Sequence, residues 1–251
     1  MFLLAFDTST DLCTVAVGKK GVLLGERNVY APQGHMQKLL PITDSLLSEV
    51  GCNIKDIGAI AVGLGPGSFT GVRIGVSIAK GLVQGLKRQV VGISSLDALA
   101  KSVSFHDGLV CAVIDAKRKE VYFCLYKCLQ GKIERLTDYE ALPPEELCDK
   151  LNDINLNKKV VLVGDALKLY APLFQERIKG AELALSDFWY PRAANVGDLA
   201  FDRLERGECN NFLNLAPIYV RVPIAEEMWE KTTDLGARRW RAKESVEGDK
   251  T

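Results

Sequence analysis

With 251 residues, 47% of them hydrophobic and 25% charged, the chain reads as a globular protein of one large or two small domains. Its 32 basic and 32 acidic side chains cancel, which excludes the basic footprint of a protein that binds nucleic acid unaided, so any RNA contact is local or shared with a partner. No apolar run reaches the roughly 20 residues that span a bilayer, and the opening run Met1 to Phe6 lacks a basic start and meets Asp7 too early for a signal peptide. A cytoplasmic protein without membrane contact is expected. Cys13, Cys52, Cys111, Cys124, Cys128, Cys148 and Cys209 are scattered and form no C-x-x-C, which argues against a zinc site and a disulfide framework and leaves most of them as small core residues.

In chain order, Phe2 to Phe6 is an apolar strand ending at Asp7, Thr8 to Asp11 has turn chemistry, and Cys13 to Val17 is a second strand, so the chain opens as a hairpin. A third strand follows near Val22 to Asn28. Leu39, Leu40, Thr43, Leu46, Leu47 and Val50 recur at helical spacing, with Pro41 tolerable in or near the first turn and Gly51 as the stop. Ile57 to Val62 reads as a buried parallel strand, Val72 to Leu86 as a helix and Val90 to Ile93 as a strand. Ser94 to Val103 is a helix opened by the capping pattern Ser94-x-x-Asp97. This half is βββαβαβα. The hairpin then repeats: Leu109 to Ile114 ends at Asp115, Ala116 to Lys119 is a polar turn, and Glu120 to Tyr126 is a strand. Val160 to Val163 ends at Gly164 and Asp165 before a helix, as Ile60 to Val62 ends at Gly63. Pro143 to Leu151 and Val196 to Arg206 complete the helices of this half, so two similar halves are predicted.

The segment with most chemical content is the turn holding Gly63, Gly65, Gly67 and Gly71. A dinucleotide fingerprint needs a third glycine where Ser68 stands and an acid after the next strand, where Ser94 stands. A P-loop needs a lysine after Gly71, where Val72 and Arg73 stand, and a nucleophile elbow needs glycines where Pro66 and Thr70 flank Ser68. What remains is a tight turn feeding helix N–H groups toward whatever docks on it. In the following helix Gly71, Gly75, Ala79 and Val83 form one stripe and Ser77, Gly81 and Gly85 a neighbouring one. Each interior glycine costs up to about 1 kcal/mol against alanine, so close packing is implied, either on the chain's own sheet or on another subunit. His35 and His106 are the only histidines and form no H-x-x-x-H pair, so no histidine-built metal site is expected, and a lone histidine is read as a surface or capping residue. Asp7-Thr8-Ser9-Thr10 is either a simple turn or a carboxylate and hydroxyls around magnesium-bound phosphate. Asp115-Ala116-Lys117-Arg118 is its counterpart, with Lys117, Arg118 and Lys119 a solvated bend or a contact with a phosphate backbone.

Asp7-Thr8-Ser9-Thr10, His35 leading into Leu39-Leu40-Pro41, the run Gly65-Pro66-Gly67-Ser68-Phe69-Thr70-Gly71-Val72-Arg73-Ile74-Gly75, Ser94-Ser95-Leu96-Asp97, Asp115 to Tyr122 and Pro217-Ile218-Tyr219-Val220-Arg221 together resemble the TsaB (YeaZ) family, over residues 1 to about 223. The resemblance implies an α/β fold of the actin-like ATPase (sugar kinase and heat-shock ATPase) superfamily, with two ribonuclease-H-like halves of mixed sheets flanked by helices. The halves are residues 1–107 and 108–223, followed by a tail, 224–251. It implies a non-catalytic partner of TsaD in forming threonylcarbamoyladenosine beside the anticodon of tRNAs that read codons starting with A, with TsaE as a further partner and tRNA reached through the complex. TsaD carries the H-x-x-x-H pattern; this chain does not. No intrinsic cofactor is expected, with ATP or ADP and magnesium belonging to the complex. Asp7, Thr8, Ser9 and Asp115 are then a vestigial nucleotide site. Pairing with TsaD, or with a second copy when alone, runs through His35, Leu39, Leu40, Thr43, Leu46, Leu47, Gly71, Arg73, Ile74, Gly75 and Ile78, and the two pairings compete. The alternative is an ATP-dependent phosphotransferase or ATPase of the same superfamily, with Asp7 on magnesium and Asp115 positioning the nucleophile.

Overall fold

The computed structural model describes residues 1–155 and 159–221; the tail read from the sequence, 224–251, lies outside them. Its strands fall into two sheets. The first contains β1 (Phe2–Asp7), β2 (Leu12–Lys19), β3 (Val22–Tyr30), β4 (Ile57–Gly63) and β5 (Gln89–Ile93), in the order β3-β2-β1-β4-β5. β1 pairs antiparallel with β2 and parallel with β4, with Ala5 opposite Ala16 on one side and Ala61 on the other. Helices α1 (His35–Glu49), α2 (Phe69–Leu86) and α3 (Ser95–Ser102) fill the connections, so the βββαβαβα order holds.

The second sheet contains β6 (Gly108–Asp115), β7 (Val121–Leu129), β8 (Lys132–Arg135), β10 (Val160–Val163) and β11 (Ala181–Leu183), in the order β11-β10-β6-β7-β8, with β9 (Glu140–Leu142) also on β7. β6 pairs antiparallel with β7 and parallel with β10. The first sheet's order and strand directions are thus repeated, which is the duplication that the two hairpins announce. Helices α4 (Pro144–Asn155), α5 (Leu167–Arg177) and α6 (Ala193–Glu205) complete the α-helices of the described residues.

Strand alternation decides what each face packs. Leu4, Phe6, Val15, Val17, Ile60 and Val62 point to one face of the first sheet and pack with Leu39, Leu46 and Leu47 of α1 and Val72, Val76 and Val83 of α2. The opposite face has four alanines, Ala5, Ala16, Ala59 and Ala61, beside Leu3, Val91 and Ile93, and takes Ala193, Val196 and Ala200 of α6. Alanine there lets the helix sit close: a Cβ on Gly197 would lie 3.3 Å from Leu3 Cδ2 and 3.4 Å from Ala5 Cβ. The sequence expectation that Val196 to Arg206 completes the second half is corrected here, because α6 covers the first sheet. Conversely α3, which follows the last strand of the first sheet, packs Leu96, Leu99, Ala100 and Val103 on the Val110, Ala112, Ile114, Cys124 and Tyr126 face of the second. The other face of that sheet takes α4 and α5 through Leu147, Leu151 and Phe174. Each sheet is therefore roofed by a helix from the other half of the sequence.

Two local expectations also change. Pro41 lies in the second turn of α1, because the helix starts at His35, and it sits on the exposed side where a missing N–H is least costly. Ser94 does cap α3, accepting from the Leu96 amide, but Asp97 does not close a capping box; its carboxylate accepts from the hydroxyls of Tyr126 and Tyr139 at 2.7 and 2.9 Å. Of the cysteines, six are buried and Cys209 is exposed, and burial pushes the thiols of Cys13, Cys128 and Cys148 up to about 11, as befits inert core residues.

The exchange of helices predicts that a fragment of residues 1–107 does not fold by itself, since the Leu3, Ala5, Ala16, Ala59, Ala61 and Val91 face would stand uncovered. Urea unfolding followed by circular dichroism should show no cooperative transition for the fragment and a single one for the full chain. A sharp transition in the fragment would contradict the roofing role given to α6.

Candidate functional site

The first candidate site is the turn after β1. Asp7 is 1% exposed, and both carboxylate oxygens are engaged: Oδ1 accepts from the Ser9 amide (2.7 Å) and the Ser9 hydroxyl (2.6 Å), and Oδ2 accepts from the Ser95 hydroxyl at the start of α3 (2.6 Å). The Thr8 hydroxyl donates to the Gly71 carbonyl (2.7 Å), the Ser68 amide to the Ser9 carbonyl (2.6 Å) and the Ser95 amide to the Gly65 carbonyl (2.8 Å). Ser68 also caps α2, its hydroxyl accepting from the Gly71 amide at 3.2 Å. A Cβ at Gly63 would run into Asp7 Oδ2, at Gly67 into the Ser9 carbonyl and at Gly71 into the Thr8 carbonyl. The glycine run is thus a place where two stretches of the chain's own backbone touch. A magnesium-bound phosphate does not fit this turn as arranged, because the carboxylate that would hold the metal is covered and bonded to serines.

The second candidate site is the turn after β6. Asp115 Oδ1 accepts from the Lys117 amide (2.8 Å), Oδ2 meets Lys117 Nζ (2.7 Å), and the Asp115 amide donates to Asp165 Oδ1 (3.0 Å). Lys117, Arg118 and Lys119 hold φ of 60°, 53° and 61°, three successive side-chain-bearing residues in the left-handed region. Each costs roughly 1 kcal/mol or more. The bend is closed by the Ala116 amide on the Glu120 carbonyl and the Glu120 amide on the Lys117 carbonyl, both 3.0 Å. The sequence marks Asp165 only as the end of a strand segment and Ser95 only within the run Ser94 to Asp97, yet each lies two residues past the end of a parallel strand, β10 and β5, where α/β sheets present functional groups. Burial pushes the Asp165 carboxyl up to about 6; the Asp115 amide, Lys168 and Lys117 oppose the rise and the Asp115 charge adds to it. Among the described residues no group of three or more His, Cys, Asp or Glu side chains is arranged to hold a metal ion, and no helix is long and apolar enough to cross a membrane.

The third candidate site is the outer face of α1 and α2. His35, Leu39, Thr43, Leu46 and Leu47 are buried under α1, and Gly71 and Gly75 face Thr8, whose hydroxyl oxygen would lie 2.5 Å from a Cβ on Gly75. The residues with the clearest helical periodicity mark the inward face, as in any amphipathic helix on a core. Of the expected docking set, Leu40, Arg73, Ile74 and Ile78 reach the surface. They are joined by Met36, 70% exposed, and by Gly81 and Gly85, around which a Cβ would meet nothing within 4 Å. His35 is 4% exposed and lies within the field of Asp7 and Asp11, so it is not the surface residue expected of a lone histidine; burial holds its pKa below the ordinary value.

Two sheets of identical order, each antiparallel on one side of its first strand and parallel on the other, define a duplicated α/β protein, two mixed-sheet halves of one topology flanked by helices. A family profile described as "TsaD: tRNA N6-adenosine threonylcarbamoyltransferase" matches residues 29–229. The tRNA threonylcarbamoyladenosine biosynthesis protein TsaB of Escherichia coli is 32% identical over 234 residues, 92% of this chain and 98% of that one. The Bacillus subtilis protein of the same name is 30% identical over 231 residues, 91% and 98% of the two chains. The solved structure of YeaZ from Pseudomonas aeruginosa, 33% identical, superposes with a TM-score of 0.75 over 87% of this chain and 99% of that one. The chain belongs to the TsaB family of tRNA threonylcarbamoyladenosine biosynthesis proteins.

The raised Asp165 carboxyl makes a signed prediction. From its ordinary 3.8 to about 6 the folded chain holds this proton more tightly than the unfolded chain, so its contribution to stability falls as pH rises through that window. Asp165→Asn keeps an acceptor for the Asp115 amide and removes the ionisation. Its Tm should match the parent near pH 4 and exceed it by a few degrees at pH 7.5; an equal difference at both pH values would contradict the assignment.

Proposed function

We propose that this chain is a non-catalytic docking subunit. It acts in the cytoplasm by pairing with TsaD so that the partner forms threonylcarbamoyladenosine on tRNAs reading codons that start with A, with TsaE as a further member. The observation that carries the reading is the closed turn at Asp7. In a phosphotransferase of this class that carboxylate would face magnesium; here it is bonded to Ser9 and Ser95 and covered by Gly63. Asp7, Thr8 and Ser9 then serve as a brace that sets the angle of α2, and ATP or ADP and magnesium belong to the assembled complex. The docking face is the outer side of α1 and α2: Met36 and Leu40 on α1, and Ile74, Ile78, Gly81 and Gly85 on α2. Glycine at positions 81 and 85 has no internal contact to accommodate, so a partner backbone approaching closely supplies the packing reason that a helix interior otherwise lacks. The same patch on two copies makes a homodimer that competes with the heterodimer.

The phosphotransferase or ATPase reading keeps one supporting observation, the raised Asp165 beside Asp115 and Lys117, since perturbed carboxyls cluster at functional sites. It requires ATP turnover by the isolated chain that is lost in Asp115→Asn.

Two substitutions test the docking reading at surface positions that the core does not need. Leu40→Asp or Gly81→Arg should weaken association with TsaD at least tenfold, about 1.4 kcal/mol, by size measurement, and return tRNA modification to the level of TsaD without this chain. An intact complex with full activity would overturn the reading. The paired variant Gly81→Ala and Gly85→Ala should raise the stability of the isolated chain, by up to about 1 kcal/mol at each position, while weakening the complex; stabilisation without loss of binding would place the interface elsewhere.

A further inference from the structure

One surface is left over from both the core and the docking face. It lies around the bend after β6. Lys117 is occupied by Asp115, but Arg118 and Lys119 are exposed and make no ion pair among the described residues. Close by, Lys168 at the start of α5 shares the neighbourhood of Asp165 with Lys117. Lys168 Nζ stands 4.7 Å from the centre of the Tyr190 ring and 5.5 Å from that of Tyr30. The two rings meet edge to face at 6.5 Å, and Tyr30, at the end of the edge strand β3, is 60% exposed. Three acids share the neighbourhood: Asp115 is paired with Lys117, Asp165 lies beneath, accepting from the Asp115 amide, and Asp11 meets the Tyr30 hydroxyl at 3.5 Å, which leaves Arg118, Lys119 and Lys168 outside any ion pair among the described residues.

The backbone adds a second observation. A left-handed bend closed by two hydrogen bonds is most readily built from glycine or asparagine, yet this one is built from lysine and arginine and retains the strain. Strain kept at an exposed bend is a mark of function, and here what it keeps is a pair of cations lifted on a fixed turn. Cations beside tyrosine rings, here the exposed Tyr30 and the half-buried Tyr190, are the parts from which single-stranded nucleic acid surfaces are made: phosphates take the charges, and an unstacked base takes the exposed ring. In a chain of zero net charge such a surface gives a local contact, which suits a subunit whose partner carries the rest of the binding.

We infer that Arg118, Lys119 and Lys168, with Tyr30 and Tyr190, form a contact for the phosphate backbone and an unstacked base of a single-stranded RNA segment, supplied by the tRNA bound to the complex. The inference rests on the docking role proposed above. The test variant is Arg118→Gly with Lys119→Gly, because glycine accepts the φ of the bend and removes both charges. In complex with TsaD, tRNA binding is followed by fluorescence anisotropy at several salt concentrations, with complex size measured in parallel. The variant should assemble normally, bind tRNA several-fold more weakly, and lower the slope of log affinity against log salt by roughly 1.4, the figure for two phosphates on a single strand. Lys168→Ala should act in the same direction and Lys168→Arg should restore binding. Unchanged affinity and slope would overturn the inference, as would a variant that loses protein assembly and keeps tRNA affinity, which would make this an acidic-protein contact. If the parent chain does not assemble with TsaD, the docking role fails and the same salt titration is run on the chain alone with a single-stranded RNA oligonucleotide. Binding without dependence on Arg118 and Lys119 would then overturn the RNA surface separately.

Discussion

The hydrogen bonds converging on the Asp7 carboxylate are the constraint on which the rest of this molecule depends. Three donors from Ser9 and Ser95 hold a charge that is out of contact with water, and bonds to charged groups contribute about 1.5 to 3 kcal/mol each. Ser95 opens α3, so the carboxylate ties the first hairpin to the helix that roofs the second sheet. The same hairpin receives the glycine run through Thr8 and Ser9, which fixes where α2 begins and which of its faces looks outward. One buried carboxylate thereby couples the two sheets and orients α2. A residue committed in this way is poorly placed for the metal chemistry that its position in the fold suggests.

The two halves share a topology and differ at the equivalent turn. A glycine at the end of the neighbouring strand packs against the first strand's end in both, Gly63 against Asp7 and Gly164 against the Val113 carbonyl, each giving room that a Cβ would take. In the first half serines close over the acid. In the second, Asp115 stays near the surface on Lys117, with Asp165 behind it, and the following residues are cations in left-handed conformation. The two equivalent acids are thus held differently, one by serines and the other by the amide and ammonium of Lys117.

Much of this was legible in the sequence, and the parts that were not have physical reasons. The first seven strands and the first three helices follow from apolar runs bounded by turn residues, and the repeated hairpin followed from Asp7 and Asp115 ending matched strands. β8, β9 and β11 are short and only partly covered, so Lys132–Arg135, Glu140–Leu142 and Ala181–Leu183 carry no clear alternation. The assignment of α6 to the first sheet cannot be read from Val196 and Ala200, because periodicity marks a buried face without naming what buries it. The same limit bears on the docking residues expected from the sequence. Leu39, Leu46 and Leu47 mark the inner face of α1, and Gly71 and Gly75 are small because Thr8 touches them, whereas Gly81 and Gly85 are small with nothing inside to require it. A close contact with the chain itself and a close contact with a partner leave the same residue in the sequence, and only coordinates separate them.

The central claim is that the chemistry belongs to a partner and that this chain contributes a surface. A titration addresses it most directly: TsaD and tRNA at fixed concentration, with increasing amounts of this chain, and threonylcarbamoyladenosine formation as the readout. The account predicts no product from the chain without TsaD, and a rate that rises and levels off when the two proteins are equimolar. Product formed by this chain alone, or a rate indifferent to its presence, would contradict it.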